Sequence, residues 1–590
     1  MIRKSIFYGL LFVLAILLYA YPNFETISAG VAVLLFGMIM LEEGFKVFTK
    51  GPLQNILKAA TNKLYKGITT GALVTALIQS SSLVSVITIS FISAGLISLS
   101  GGLGLIFGAN IGTTATAWLV AGFGLKVKIS ALALPMLVFG IIFSFQKKVS
   151  LKGLGNILAG LGFFFLGIHY MKEGFDVFKD HIDLSQYAVS GFLGVFVYTG
   201  LGIIITTILQ SSSATLALIL TALSVGQIEY ENALALAIGA NVGTTITAIL
   251  GAISSNSAGK RLATAHFIFN VLTGLVAIAF IYPLANLVNN TSNLLNIAST
   301  NYTLKLALFH TFFNVLGVVL MIPFIKVLER TLLRFYIEKG DKDIDEPKYL
   351  TPSVLGFPWT VISALIKESK YLYQNSVFEI VTHALSIHRE DVKSDKKLKT
   401  VIKTSQTDFH IDVEGLYYTK VKSIYGKIIT YATTAQSTLK LNNRQNKAIT
   451  DIKIANRKMV EIIKDARELN KNITIALNTK NAYLAKEYDS YRKKLVNVLR
   501  TIYLFRKEDD SKNHELKLKK LKNEAKTNIR QSNKSIDKLI RKNLITVEMA
   551  SSLFNDYANV NDMIKKLIEV AELLYGKKDA LFEDNGNGSA

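Results

Sequence analysis

The chain has 590 residues, half of them apolar, no cysteine and a formal net charge of +23. Without cysteine, a disulfide framework, a thiolate zinc site and a cysteine nucleophile are excluded. The length implies several domains, and the basic excess sits in the second half and in short loops between apolar segments, where cytosolic exposure and anionic lipid explain it better than nucleic acid.

The N-terminus is basic through Lys4 and apolar from Ser5, as in a signal peptide. Leu18 stands where cleavage wants a small residue, so residues 1–26 are expected to form an uncleaved first membrane helix. Further stretches long enough to cross a bilayer, about 20 residues, fall near 27–48, 102–123, 127–145, 153–177, 232–252, 262–286 and 303–328. Two regions near 68–98 and 193–226 differ, because each carries a Gln-Ser-Ser-Ser cluster near its middle. One continuous helix would hold that cluster at mid-membrane. Two half-helices meeting at it form a re-entrant hairpin, tolerated where protein or water covers the tip.

Charge placement follows the same arrangement. With both hairpins returning to the side of entry, Arg3, Lys4, Lys46, Lys50, Lys58, Lys63, Lys66, Lys147, Lys148, Lys152, Lys260 and Arg261 fall inside. Lys126, Lys128 and Lys179 fall outside, and Leu287–Thr303 is uncharged. The chain then divides into a first helix (1–26), two transmembrane repeats (27–150 and 151–290), a final membrane helix (291–330) and a cytosolic helical domain (331–590).

The membrane body contains itself twice. Thr75, Gln79, Ser80, Ser81 and Ser82 recur 131 residues on as Thr206, Gln210, Ser211, Ser212 and Ser213. GANIGTT from Gly108 recurs at the same offset as GANVGTT from Gly239. Upstream, Gly37, Glu43, Gly44, Phe45 and Phe48 recur as Gly167, Glu173, Gly174, Phe175 and Phe178, offset by 130. One helix, one hairpin and two helices make three crossings per unit, so the second copy enters upside down. That is the inverted-repeat plan of many secondary transporters, with the site near the midplane. The best-matched residues are polar in an apolar setting, which packing alone would not repeat.

After each Gln, the serines open a half-helix whose free N–H groups and dipole attract an anion. Ser80, Ser81, Ser82, Ser211, Ser212 and Ser213 add neutral hydroxyl donors, and these suit a carrier that must release its cargo. Gln79, Gln210, Asn110 and Asn241 offer carbonyl oxygens, and Thr75, Thr113, Thr114, Thr206, Thr244 and Thr245 offer hydroxyls. With broken-helix carbonyls they make an oxygen-rich setting for Na⁺, and no other metal is expected. Glu43 and Glu173 are expected at helix ends. His266 with Asn270 and His310 with Asn314 are expected to brace the last two membrane helices. A serine nucleophile would need a base, but His169, His266 and His310 do not repeat alongside the serines. An enzyme is therefore not expected.

The doubled Gln-Ser-Ser-Ser, the following GANxGTT and the HxxFN helices resemble the type II sodium–phosphate cotransporter family over residues 27–330. The resemblance implies sodium-coupled symport of inorganic phosphate in a bacterial cytoplasmic membrane. It places phosphate at the two serine clusters, with sodium as coupling ion, no organic cofactor, membrane lipid as surroundings and a homodimer among the expectations. Leu83-Val84-Ser85 against Ala214-Thr215-Leu216 departs from the serine- and threonine-rich run after the first cluster in vertebrate members. Another small oxyanion, export, or phosphate sensing without flux are the alternatives.

From about Ser353 to Phe582 long helices are expected, with apolar faces in Val421–Ile429, Ile452–Ile463 and Ile564–Leu574. Arg506–Asn513 reads as a polar break and Asn585–Ala590 as a tail. The pattern resembles the PhoU-like bundle that follows the transporter in bacterial members. The acidic pairs Asp391–Asp395 and Glu461–Asp465 are the candidates there for metal binding. The fold class expected is all-α: a polytopic membrane protein with two inverted repeats, each with a re-entrant hairpin, plus a cytosolic helical bundle.

Overall fold

The computed structural model describes residues 2–49, 63–125, 129–179, 188–337, 346–507, 511–527 and 529–576. Lys50, Lys58, Lys126, Lys128, the middle of the 506–513 break and the 585–590 tail lie outside them. Every regular element among the described residues is helical. The chain forms two compact units, Met1–Glu338 and Lys339–Ala590.

Unit 1 runs α1 (Ile2–Ala20), α2 (Pro22–Thr49), α3 (Leu64–Ile78), α4 (Ser81–Ser93), α5 (Leu99–Gly112), α6 (Thr114–Leu119) and α7 (Ile129–Ser144). It continues with α8 (Val149–Lys179), α9 (Gly191–Leu209), α10 (Ser212–Ser224), α11 (Tyr230–Ile253) and α12 (Ser257–Ala279). It ends with α13 (Ile281–Leu294), α14 (Tyr302–Met321) and α15 (Ile325–Phe335). Seven helical segments among the described residues are long and apolar enough to cross a membrane, so the chain is a multi-pass membrane protein. Of the four helices flanking the serine clusters, only α9, at 19 residues, reaches that length; α3, α4 and α10 are shorter.

Small residues set the helix packing, as expected where lipid removes the usual hydrophobic drive between helices. In α2, Gly30, Gly37 and Gly44 recur every seven residues, as do Gly153, Gly160, Gly167 and Gly174 in α8. Gly30 lies against Gly167, Gly37 against Gly160 and Gly44 against Gly153, so the two helices run antiparallel with backbones touching. The copies also pack alike. A Cβ on Gly108 would lie 2.0 Å from the Ile68 carbonyl oxygen, and one on Gly239 2.1 Å from that of Thr199. Gly71 meets Leu105 O and Gly202 meets Leu236 O in the same way. Each of these four contacts maps onto its counterpart by the 131-residue offset.

Three expected spans are interrupted, the one at 102–123 by the break at Thr113 between α5 and α6. The one at 262–286 ends at Ala279, and α13 begins after Phe280. Pro283 explains this: inside a continuous helix its ring would strike the carbonyl of Ala279, whereas in a first turn its missing N–H is harmless. The span at 303–328 passes through a 3₁₀ turn at Ile322–Phe324, which holds Pro323.

Unit 2 contains eleven helices among the described residues, the longest being α22 (Asn443–Asn478) and α26 (Val547–Tyr575), counted from α16 (Pro358–Leu372). One hydrophobic core joins them, and Ile564, Leu567, Ile568, Ala571 and Leu574 are all buried in it. Arg492 is fully buried, donating to the Leu385, Ser386 and Ser405 carbonyls and pairing with Asp489 at 2.8 Å. Of the acidic pairs, Asp465 holds Lys566 at 2.7 Å with Glu461 at 3.9 Å, and Asp391 holds Lys396 at 2.8 Å. Among the described residues no three His, Asp or Glu converge as a metal site.

Glu368 in α16 is also fully buried and accepts the Tyr349 N–H at 2.7 Å. Burial raises its pKa above the ordinary 4.5, against the opposing hydrogen bond from Tyr349. A raised folded value means the group supports folding below 4.5 and that support fades as pH rises through the folded value. Glu368→Gln keeps the acceptor and removes the charge. Amide exchange over residues 346–372 is therefore expected to be slower in the variant than in the parent at pH 8 and alike in both at pH 4. Equal exchange at pH 8 would show that Glu368 is not destabilising when ionised.

Candidate functional site

Both Gln-Ser-Ser-Ser clusters break a helix in the same way. Gln79 ends α3 at φ 58° and Gln210 ends α9 at φ 53°, the left-handed region that non-glycine residues rarely adopt. Such strain costs of order 1–3 kcal/mol and is retained mainly at functional positions. Ser80 and Ser211 then cap α4 and α10, their hydroxyls accepting from Leu83 N at 3.3 Å and Ala214 N at 3.2 Å. The next N–H bonds back to the cap carbonyl, Val84 to Ser80 and Thr215 to Ser211. The N–H groups of Ser81, Ser82, Ser212 and Ser213 belong to the first turn and have no helical acceptor. Ser81, Ser212 and Ser213 are buried, and Ser82 is half-buried.

The clusters meet through a residue absent from the expected set. The Thr116 hydroxyl in α6 lies 2.7 Å from Gln79 Oε1 and 3.2 Å from Ser213 Oγ, so it touches one residue of each cluster. Its counterpart 131 residues on, Thr247 in α11, lies 3.5 Å from Ser82 Oγ. Ser82 and Ser213 are themselves counterparts. Each copy thus reaches the other copy's third serine with the same threonine, a reciprocal contact.

The remaining expected residues divide. Thr206 donates to Thr215 Oγ1 at 2.9 Å. Its counterpart Thr75 is buried with an unpartnered hydroxyl, because Val84 stands where the second copy has Thr215. Thr113 donates to the carbonyl of Asn110 at 2.6 Å, and Thr114, Thr244 and Thr245 donate to the carbonyls of Ile111, Ala240 and Val242 at 2.7–3.0 Å, three or four residues back in the chain. Asn110 faces His266 Nε2 at 3.4 Å. Asn241 faces His310 Nε2 at 3.3 Å and donates to Asn314 Oδ1 at 2.7 Å. The two HxxFN helices are thus braced onto the GANxGTT helices. Among the described residues, the Asn270 side chain bonds back to the His266 carbonyl alone, and its own oxygen is unpartnered. Glu43 and Glu173 are both exposed.

Chemically, the two clusters offer backbone and hydroxyl donors around short helix starts, with amide oxygens beside them. Among the described residues, no charged side chain is a hydrogen-bond partner of the six serines. Thr116 and Thr247 were legible in principle: the match runs on past GANxGTT to a threonine two residues further in each copy.

A family model described as Na⁺/Pi-cotransporter matches residues 33–173 and 186–320. A Salmonella typhimurium protein provisionally named an inorganic phosphate export protein, YjbB, is 28% identical over 343 residues, 58% of this chain and 61% of its own. The chain thus matches less than two thirds of that relative's length. The uncharacterized protein YqeW of Bacillus subtilis is 29% identical over 315 residues, 52% of this chain and 95% of its own. The mouse sodium-dependent phosphate transport protein 2C is 40% identical over 87 residues, 14% of each chain. No solved structure matches the chain significantly.

Proposed function

Since a Na⁺/Pi-cotransporter family model matches residues 33–173 and 186–320, we propose that this chain is a member of that family and a sodium-coupled phosphate symporter of a bacterial cytoplasmic membrane. The observation that carries the reading is the reciprocal contact of Thr116 with Ser213 and of Thr247 with Ser82. It supports two clusters facing one another across a pseudo-twofold axis, and the antiparallel pairing of the matching helices α2 and α8 supports inversion of the second copy. Phosphate lies between the tips, held by Ser80, Ser81, Ser82, Ser211, Ser212 and Ser213 and by the first-turn N–H groups. Sodium takes oxygens from Gln79, Gln210, Asn110, Asn241 and the neighbouring threonines. Each cluster is the tip of a re-entrant hairpin. At 13 residues, about 20 Å, α10 is too short to cross and turns the chain back after α9. Unit 2, on the cytosolic side, regulates the flux.

Export is the second reading, because relatives spanning the membrane unit carry that name. One assay separates the two. The full chain is reconstituted in liposomes and labelled phosphate is followed with Na⁺ gradients of either direction. Uptake driven by inward Na⁺ supports symport, and loss of preloaded phosphate without Na⁺ dependence supports export. Movement of sulfate but not phosphate would overturn the cargo. Removing residues after 345 is expected to change the rate and leave the preference for phosphate intact.

A further inference from the structure

The two copies make the same contacts unequally. On one side Thr116 sits 2.7 Å from Gln79 Oε1 and 3.2 Å from Ser213 Oγ. On the other, Thr247 donates to its own helix at the Thr244 carbonyl, 2.8 Å away, and lies 3.5 Å from Ser82. Gln79 is half-buried, whereas Gln210 is exposed and has no side-chain partner among the described residues. The difference reaches the residue before each Gln: Ile78 is 1% exposed, and Leu209 is only partly buried.

A hydroxyl has one proton to give. Thr116 therefore holds both only by donating to Gln79 Oε1 and accepting the Ser213 hydroxyl proton. Held between them, it ties the tip of its own copy to the third serine of the other. The Thr247 side is equipped with the same residues, Gln210 and Ser82, and leaves that tie unmade. Gln, Thr and Ser stand in matching positions on both sides, so the bridge made on one side has the residues to form on the other.

We infer that Thr116 and Thr247 are positioning residues that close the two serine clusters alternately, each threonine bridging the Gln of its own copy to the third serine of the other. The inference rests on the reading that the clusters form one anion site between inverted copies. In the arrangement seen here the Gln79–Thr116–Ser213 bridge is closed and the Gln210 side is open. In its mirror, Gln210–Thr247–Ser82 closes and the Gln79 side opens. Anion bound between the tips takes the hydroxyl donors of Ser82 and Ser213, competes with both bridges and so permits the exchange. A net hydrogen bond of about 0.5–1.5 kcal/mol makes each bridge a bias of roughly two- to tenfold on a two-state equilibrium.

The absence of native cysteine makes the test direct. Ile78→Cys and Leu209→Cys are introduced separately into the full chain, and their labelling by a charged thiosulfonate is timed in open membrane sheets, where both faces are accessible. With both threonines present, Leu209→Cys is expected to label faster. Thr116→Val should lower the Leu209-to-Ile78 rate ratio about two- to tenfold. Thr247→Val should raise it by a similar factor, and the double variant should return it to the parent value. Thr116→Ser, which keeps the hydroxyl, should leave the ratio unchanged. Where a valine variant aggregates, alanine takes its place. Shifts of the same sign for both threonines, or no shift with the reporters labelling, would overturn the inference. So would faster labelling at both reporters, the mark of a merely loosened fold. Labelling needs no transport, so opposed shifts in a protein that moves no phosphate would sink the cargo and leave the bridges standing. Phosphate flux with an unmoved ratio would do the reverse.

Discussion

Replacing Ser81 and Ser212 together by alanine is expected to lower sodium-driven phosphate uptake at least about 100-fold while leaving the protein folded. These two are the cleanest serines to remove. Ser80 and Ser211 hold the helix starts, so their loss costs a cap, about 1 kcal/mol each, and mixes folding with binding. Ser82 and Ser213 touch the opposite threonines. Ser81 and Ser212 stand at the first position of α4 and α10, are 8% and 7% exposed, and alanine suits a helix at that position. A hydrogen bond to a charged partner contributes about 1.5–3 kcal/mol, so losing two removes about 3–6 kcal/mol of anion affinity. Each single variant should fall roughly tenfold or more. The measurement is initial uptake against phosphate concentration, with sodium dependence recorded alongside. A double variant that transports like its parent would place the anion away from the second serines, whatever else the clusters do.

How much of this was legible beforehand depended on whether a residue's purpose left a local mark. The serine clusters did, because polar runs inside apolar stretches are costly and their duplication cannot be packing. The helix break at Gln79 and Gln210 was visible as position and not as geometry, since no glycine announces the left-handed turn. Pro283 and Pro323 mark two of the interrupted spans, but apolar run length alone passes over them. α13 was missed because, without charge, its polar asparagines read as loop. Partners across space were least visible. Nothing in the chain order joins Thr116 to Ser213 or Asn241 to His310, and the offset of 131 residues names counterparts without saying which of them touch. In unit 2 the apolar spacing showed the buried face of α26, while Lys566 between Glu461 and Asp465 is a tertiary contact that no spacing implied.

Gly108→Ala and Gly239→Ala are each expected to cost roughly 3 kcal/mol or more and to abolish transport. The added methyl would sit 2.0 Å from the Ile68 carbonyl oxygen in one case and 2.1 Å from that of Thr199 in the other. Those are backbone atoms of the neighbouring helix, α3 or α9, and cannot rotate aside as a side chain can. Relief requires separating α3 from α5, or α9 from α11, by more than 1 Å, since a carbon and an oxygen in contact lie about 3.3 Å apart. That shift carries Gln79 or Gln210, at the end of the displaced helix, away from its cluster. Gly200→Ala is the matched control. It lies in α9, a methyl there meets nothing within 4 Å, and the better helix propensity of alanine should leave the protein as stable or up to about 1 kcal/mol more so. Thermal loss of the monodisperse peak in detergent, measured for all three variants, decides the matter. If Gly108→Ala and Gly239→Ala melted with Gly200→Ala, the helix pairs that present the two clusters would not be held by backbone contact, and the equal offset of their contacts would carry no energetic weight.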